Sequence, residues 1–446
     1  AGHAGQAAAT AGPPGRAAHC ALGEELMIYQ VAELWAQLDA HVRDMEGAGE
    51  APALRAQCLL QKAQVLNWLG RFDEQIEAAE STGSFAEPGT DLWGEAQRLA
   101  AAALREQGRP ADSESRLGWT LEHPLAEQLA PATRARLIAE RTRSLNDLGR
   151  IHEALAAAEE AVRIATEAGE AGTTAMLRAL DARFMALTYQ NDQSASIEAA
   201  RAVIERADQV GDGVLATRAR VNMGFVLHRL GRFEQSREVL ERGLGEARML
   251  RMRAAEGFAL HNLGMALGRL DELDEAVDVE QQAVRLADEI SHSRLQVSAR
   301  TYEAILRAWR GAPGDLSAAL TCAETARMRS AAQPMSHVAA IATVALIQLA
   351  RRDLPAAYAA AEEATRKASS LGAMEEGEEM LRLTCIEVLV ALDRIEEADE
   401  MLRAAYDWIM LRADSISAQV HRDSYLSRLY EVRRIKIGRA SCRERV

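Results

Sequence analysis

Aromatic side chains make up only 4% of this 446-residue chain, although 48% of it is hydrophobic. Its apolar surface therefore rests on alanine, leucine and valine, side chains suited to close helix packing rather than to a bulky core. Lysine is nearly missing, with only Lys62, Lys367 and Lys436. The basic charge is arginine, and with the alanine excess this bias points to GC-rich coding DNA rather than to function. No run approaches the ~18 apolar residues of a membrane-spanning helix. The longest candidate, Val338 to Ala350, is interrupted by Gln348 and reads as a buried helix. Five cysteines, Cys20, Cys58, Cys322, Cys385 and Cys442, show no C-x-x-C spacing. That pattern excludes a disulfide framework and fits a reducing, cytoplasmic compartment.

Catalytic signatures are missing as well. No lysine follows a glycine, so there is no phosphate-binding G-x-x-x-x-G-K-[ST] loop. His152-Glu153 stands alone without a second histidine, and no G-x-S-x-G occurs. The formal charge of -14 disfavours nucleic acid and anionic membranes as partners. A charged fraction of 26% and a mean hydropathy of -0.18 argue against disorder. The expectation is a folded, non-enzymatic chain with no cofactor and no metal, whose partner is a protein or peptide.

What the sequence does contain is a recurrent turn. Leu69-Gly70-Arg71, Gly108-Arg109, Leu148-Gly149-Arg150 and Leu230-Gly231-Arg232 are strong copies. Asn191-Asp192, Asp271-Glu272, Gly314-Asp315, Arg352-Asp353 and Asp393-Arg394 are weaker ones, and the whole set repeats at about 40 residues. Helical patterning flanks each copy, and Met223, Val226, Leu227 and Leu230 show i, i+3, i+4, i+7 spacing. A turn between helices at such a period predicts an α-solenoid of stacked hairpins.

The paired helices are expected at Ala17–Met27 with Val31–Met45, Ala53–Leu69 with Phe72–Glu80, Leu92–Glu106 with Pro110–Glu122, and Thr133–Leu148 with Ile151–Ala168. Thr174–Tyr189 with Ser194–Val210 follows, then the unit around Met223 with Phe233–Ala247, and Ala254–Leu270 with Leu273–Ile290. Arg294–Trp309 with Leu316–Met328, His337–Arg351 with Leu354–Ser370, and Glu375–Leu392 with Ile395–Leu411 complete the array. Asp353 and Pro355 read as a helix start. Ala418–Arg434 is expected as a last, unpaired capping helix. Gly224 and Gly264 share one phase of the repeat, which predicts helix crossings too close for a Cβ.

The repeats resemble tetratricopeptide repeats, best in Asn222-Met223-Gly224 with Leu230-Gly231-Arg232-Phe233, and in Asn262-Leu263-Gly264 with Leu270 and Asp274-Glu275-Ala276. The longer period resembles the variant repeats of large bacterial signalling proteins, which carry an upstream ATPase, Ser/Thr kinase or cyclase module. Arg422-Asp423-Ser424-Tyr425-Leu426 and Glu431-Val432-Arg433-Arg434 are similar to the R-x-S-F-L and E-N-R-R stretches that close such regions. Leu429-Tyr430 stands where that pattern has Val-Pro. The resemblance implies an all-α, right-handed α-solenoid of about ten TPR-like hairpins with a terminal helix. It spans residues 16–434, after an Ala/Gly/Pro-rich, frayed start at 1–15 and before an artefactual tail at 435–446. The last ten residues, Ile437 to Val446, match an in-frame translation of a sequencing adapter.

First helices line the inner wall of such an array. Arg136, Arg143, Arg183, Arg218, His228, Arg229, His261 and Arg269 fall there and form the candidate binding surface. Successive guanidinium groups suit bidentate contacts with carboxylates or phosphates. His228 and His261 lack the cysteine or carboxylate spacing of a metal site and read as wall residues. Cys58, Cys322 and Cys385 read as small buried hydrophobes, and Trp68, Trp93 and Trp309 as packing residues. Glu375-Glu376-Gly377-Glu378-Glu379 and Glu396-Glu397 read as solvated helix faces. The main functional expectation is an autoregulatory protein-interaction scaffold whose partner is a peptide or an upstream domain of the same polypeptide. A small-molecule sensor controlling an upstream ATPase or kinase is the alternative, and it requires an enclosed pocket. If the adapter reading holds, ending the chain at Lys436 leaves the melting temperature unchanged; a drop of several degrees would show a packed native tail.

Overall fold

The structure, a computed structural model, describes residues 37, 40, 52–68, 71–190, 192–331, 333–369, 371 and 377–443. Among them, helix is the only regular secondary structure. Nine hairpins follow one another among the described residues: α1 (Pro52–Trp68) with α2 (Phe72–Phe85), α3 (Asp91–Glu106) with α4 (Pro110–Glu122), and α5 (Pro131–Asp147) with α6 (Ile151–Glu167). Next come α7 (Thr173–Gln190) with α8 (Gln193–Val210), α9 (Gly213–Arg229) with α10 (Phe233–Met249), and α11 (Arg253–Arg269) with α12 (Leu273–Glu289). The series ends in α13 (Ser293–Arg310) with α14 (Asp315–Arg329), α15 (Pro334–Ala350) with α16 (Leu354–Ser369), and α17 (Glu378–Ala391) with α18 (Ile395–Asp414). Two closing helices follow, α19 (Gln419–Arg428) and α20 (Tyr430–Arg443). No helix among the described residues is long and apolar enough to cross a membrane.

Most boundaries lie within three residues of those expected, because local chemistry marks them. Pro110, Pro131 and Pro334 occupy first helical positions, where the missing N–H costs nothing. Thr90 Oγ1 caps α3 by accepting the Trp93 N–H, and Asp353 Oδ1 accepts the Ala356 N–H at the start of α16. The hairpin expected at Ala17–Met27 and Val31–Met45 lies outside the described residues, apart from Gln37 and Ala40, as does the 1–15 start. One expectation needs correction. Ala418–Arg434 is not a single unpaired helix: Leu429 takes extended backbone, at φ -69° and ψ 124°, and separates α19 from α20. Helix α20 runs on to Arg443, into the segment read as an adapter, with Gly438 against Leu402.

The recurrent turn is a Schellman motif. Gly108, Gly149, Gly231, Asp271, Arg352 and Asp393 all have φ between 60° and 76°. The N–H of the following residue reaches back to a carbonyl five positions earlier: Arg150 to Leu145, Arg232 to Leu227, Glu272 to Leu267, Asp353 to Gln348 and Arg394 to Leu389, at 2.9–3.0 Å. The arginine after the left-handed residue then turns to an acid in the first turn of the next helix, as in Arg109–Asp112, Arg150–Glu153 and Arg394–Glu397. These pairs are exposed and worth at most ~1 kcal/mol each.

The chain forms two compact units, residues 1–190 with 205–216, and residues 191–204 with 217–446. In the first, alanine makes close helix packing possible: Ala135, Ala139, Ala161, Ala165, Ala175, Ala179 and Ala182 are buried together with Ile138 and Ile164. A ladder of charge joins its first helices. Glu95 of α3 sits between Arg98 and Arg136, and Glu140 of α5 between Arg105 and Arg143. Burial alone would push both carboxyls up, but these guanidinium groups hold them below the usual carboxylate range.

In the second unit Val221, Leu240, Leu260, Leu263, Leu267 and Leu286 form one core, and Val338, Ile341, Val344, Leu381 and Val388 belong to another. Gly224 and Gly264 hold the close crossings expected of them. A Cβ on Gly224 would collide with Leu240 of α10, and one on Gly264 would lie 2.5 Å from Glu280 Oε2 and 3.3 Å from the Ala276 carbonyl oxygen of α12.

Two outcomes are expected. Gly264→Leu should cost about 1–3 kcal/mol in denaturant unfolding through overpacking; unchanged stability would place that face in solvent. Glu140→Gln should cost about 3 kcal/mol at neutral pH, because it leaves buried arginines short of charge. The native pKa of Glu140 is depressed, so its contribution is complete above the unfolded value of about 4.3 and is lost as the pH falls through the native value. The stability gap between wild type and variant should therefore narrow below about pH 4. A gap independent of pH would show that the carboxylate charge is irrelevant.

Candidate protein-interaction surface

Three of the eight wall residues lie in the first unit, and each faces an acid of a neighbouring helix. Arg136 donates to Glu95 and Thr133, Arg143 to Asp181, and Arg183 to Glu159. Asp181 and Glu95 are buried. These guanidinium groups are thus committed to helix–helix pairing. Displacing Arg136 or Arg143 for an outside carboxylate leaves a buried acid short of counter-charge, which is costly, whereas Glu159, the partner of Arg183, is 51% exposed.

The second unit holds the other five. Arg218 is half-buried on α9. Its neighbour Arg220 is the more enclosed residue and pairs with Glu246 at 2.8 Å. His261 is buried on α11, with Nδ1 2.7 Å from Glu280 Oε1 and its ring edge-on to Tyr302 at 5.2 Å. Gly264, one turn along the same helix, leaves the space that the Glu280 carboxylate occupies.

His228, Arg229 and Arg269 converge. They line a cavity of about 50 Å³ together with Tyr302 and Trp309 of α13, Glu379 of α17, and Leu429 and Glu431 of the closing segment. Burial pushes the His228 imidazole well below its ordinary pKa, and the charges of Arg269, His261 and Arg229 add to this, so the ring is neutral at physiological pH. Its Nδ1 has no protein hydrogen-bond partner. Arg229 lies 5.7 Å from the Phe225 ring centroid, and Arg269 stacks 4.7 Å over Trp309. Arg269 also donates to Glu431 Oε1 at 2.9 Å. Burial raises the Glu379 carboxyl, with Arg229 opposing the shift.

The acids at this site escaped the sequence reading. Glu379 was grouped with Glu375–Glu378 as a solvated face, yet its side chain is 14% exposed and shares the cavity; residues 375 and 376 lie outside the described set. Tyr425 and Glu431 fall inside the two stretches that resemble the family's closing segment, which was the available signal. Of the remaining candidates, Cys58 and Cys385 are buried, and burial pushes the Cys322 thiol up to about 12 and raises Cys385 too, so neither of the latter two is a reactive thiolate. Trp93 packs in a buried cluster, while the Trp68 side chain is outside the description. Among the described residues no group of three His, Cys, Asp or Glu side chains is placed to hold a metal.

Comparison with known proteins bears on the fold. The tetratricopeptide-repeat family model matches residues 215–289. No curated protein matches the chain in sequence. Among solved structures, the apo form of the quorum sensor NprR from B. thuringiensis is similar over 79% of this chain and 97% of its own, at 15% identity and a TM-score of 0.57. A Rap protein complexed with Competence and Sporulation Factor is similar over 79% of this chain and 99% of its own, at 13% identity and 0.52. A signal-transduction ATPase with numerous domains and a tetratricopeptide-repeat sensor, from Pyrococcus horikoshii, is similar over 77% of this chain at 12% identity and 0.53. This chain covers 53% of that ATPase, about half its length. With the repeat match in α9–α12 and these neighbours in fold, the chain is a tetratricopeptide-repeat-like α-solenoid.

Proposed function

We propose that this chain is a non-enzymatic, autoregulatory protein-interaction region of a larger bacterial signalling or transcriptional regulator. It binds an acidic segment of a partner along the first helices of its second unit. The observation that carries this reading is the convergence of Arg229 and Arg269 from successive first helices on one cleft. In the first unit Arg136 and Arg143 are taken up by the buried acids Glu95 and Asp181, and Arg183 by the exposed Glu159, so the proposal centres on Arg218, His228, Arg229, His261 and Arg269. The Rap protein solved with Competence and Sporulation Factor, and the ATPase whose repeats are called a sensor, support a recognition role for this fold. An upstream module of the same polypeptide is the first partner to try. A desolvated arginine–carboxylate contact contributes ~1.5–3 kcal/mol.

The alternative, an inducer sensor, needs an enclosed pocket of roughly 300–1,000 Å³. The cavity at the arginine cleft, at about 50 Å³, is far smaller. A groove reading therefore fits this conformation better than a small-molecule one.

A peptide array probed with the full chain tests the proposal. Acidic peptides should be enriched, binding should weaken with added salt, and Arg218→Ala/Arg229→Ala should reduce it at least tenfold. Undiminished binding by the double variant would move the site off this wall.

A further inference from the structure

We infer that the closing segment, Ile416 to Lys436, is a strap lying on the same first-helix wall, and that an acidic partner segment binds by displacing it. This rests on the wall reading above and names the wall's resident occupant.

One short segment touches equivalent places in successive repeats. Ser417 donates to Asp192 at 3.1 Å, and His421 Nδ1 lies 2.9 Å from Ser194 Oγ, both at the turn after α7. Ser424 and Arg428 pack on Gly231, and Arg428 donates to Glu234 at 2.7 Å, at the turn after α9. Glu431 pairs with Arg269 at the end of α11. Tyr425 donates to Glu379 at 3.2 Å at the start of α17, and Arg434 reaches Glu387 on the same helix. A helical ligand seated across a solenoid makes this pattern of contacts.

The contacts differ in character along the segment. At the turn after α9 they are polar and solvent-exposed: the Arg428 and Glu234 side chains are 46% and 62% exposed. Such contacts exchange readily with water. The deep contacts are the apolar side chains of Ile416, Tyr425, Leu429, Val432 and Ile435 together with the Glu431 carboxylate. The carboxylate is imperfectly met. Glu431 Oε2 has no protein hydrogen-bond partner, and neither has His228 Nδ1 across the cleft. An aromatic and a carboxylate held against Arg229, Arg269 and Trp309 are the recognition chemistry that an outside segment would supply. The partner is therefore an acidic segment that also carries an aromatic residue.

The test uses the full chain and a fluorescein-labelled synthetic peptide of residues 416–436 as probe. Tyr425→Ala/Glu431→Arg loosens the resident strap, and circular dichroism checks that the helices remain. This variant should bind the probe at least tenfold more tightly than wild type, and adding Arg269→Ala should abolish the gain. Equal probe binding by wild type and the helical variant overturns the strap. Because Tyr425→Ala risks unfolding, hydrogen exchange on the wild-type chain gives an independent arm. Amides of 419–436 should exchange at least tenfold faster than those of α11 and α12; exchange only with global unfolding overturns the inference. The two proposals fail differently. Array peptides bound equally by wild type and by the loosened variant sink the strap and leave the wall. Probe bound by the loosened variant, with no acidic array peptide bound by either, supports the strap and sinks the wall reading.

Discussion

A residue in the left-handed region just past the end of α3, α5, α9, α11, α15 and α17 is the constraint from which this architecture follows. At Gly149, Gly231, Asp271, Arg352 and Asp393 the positive φ lets the next N–H reach back five residues and satisfy a helix-end carbonyl. The chain then leaves in a fixed direction, so these hairpins close alike. Where a non-glycine residue takes this conformation, as Arg352 does, the backbone carries a penalty of ~1–2 kcal/mol that the surrounding packing must over-determine. Once hairpins close alike, their faces meet at a common spacing. Alanine and glycine then serve where larger side chains would force helices apart, as Gly224 shows against Leu240.

The same regularity sets the problem of charge. First helices stacked side by side bring their polar residues into rows, and a row of like charges would repel. The first unit answers with alternation: Glu95, Glu140 and Asp181 sit between Arg98, Arg136, Arg105 and Arg143. In the second unit the acids that answer Arg229 and Arg269 come from further along the chain, from Glu379 and from Glu431 of the closing segment. A counter-charge fixed within neighbouring repeats is structural. One supplied by the closing segment is the counter-charge we propose to be exchangeable, which is why the proposed site lies in the second unit.

The fold was largely legible in the sequence. The Gly-Arg turns, the prolines at first helical positions and the caps at Thr90 and Asp353 are short-range signals, and they set helix boundaries without reference to tertiary structure. The candidate site was legible only in part. Repeat phase located Arg229 and Arg269, but not the acids that meet them, because Glu431 lies 162 residues from Arg269. The break at Leu429 carried no glycine or proline to mark it. The family pattern did hold the clue, since Tyr430, the first residue of α20, stands where that pattern has a proline. Buried acids such as Glu95 and Glu140 look like solvated ones in sequence, because their burial depends on arginines such as Arg136 and Arg105 that neighbouring repeats supply.

Spin labels at Gln235 and Asp423, both exposed, report directly on whether the closing segment lies on the wall in solution. Pulsed dipolar measurements on the full chain should give one short, narrow distance distribution, with a second, longer population growing as an acidic peptide selected from the array is added. A broad distribution in the free chain, or a narrow one that saturating peptide leaves unchanged, would contradict the account of an occupied and displaceable wall.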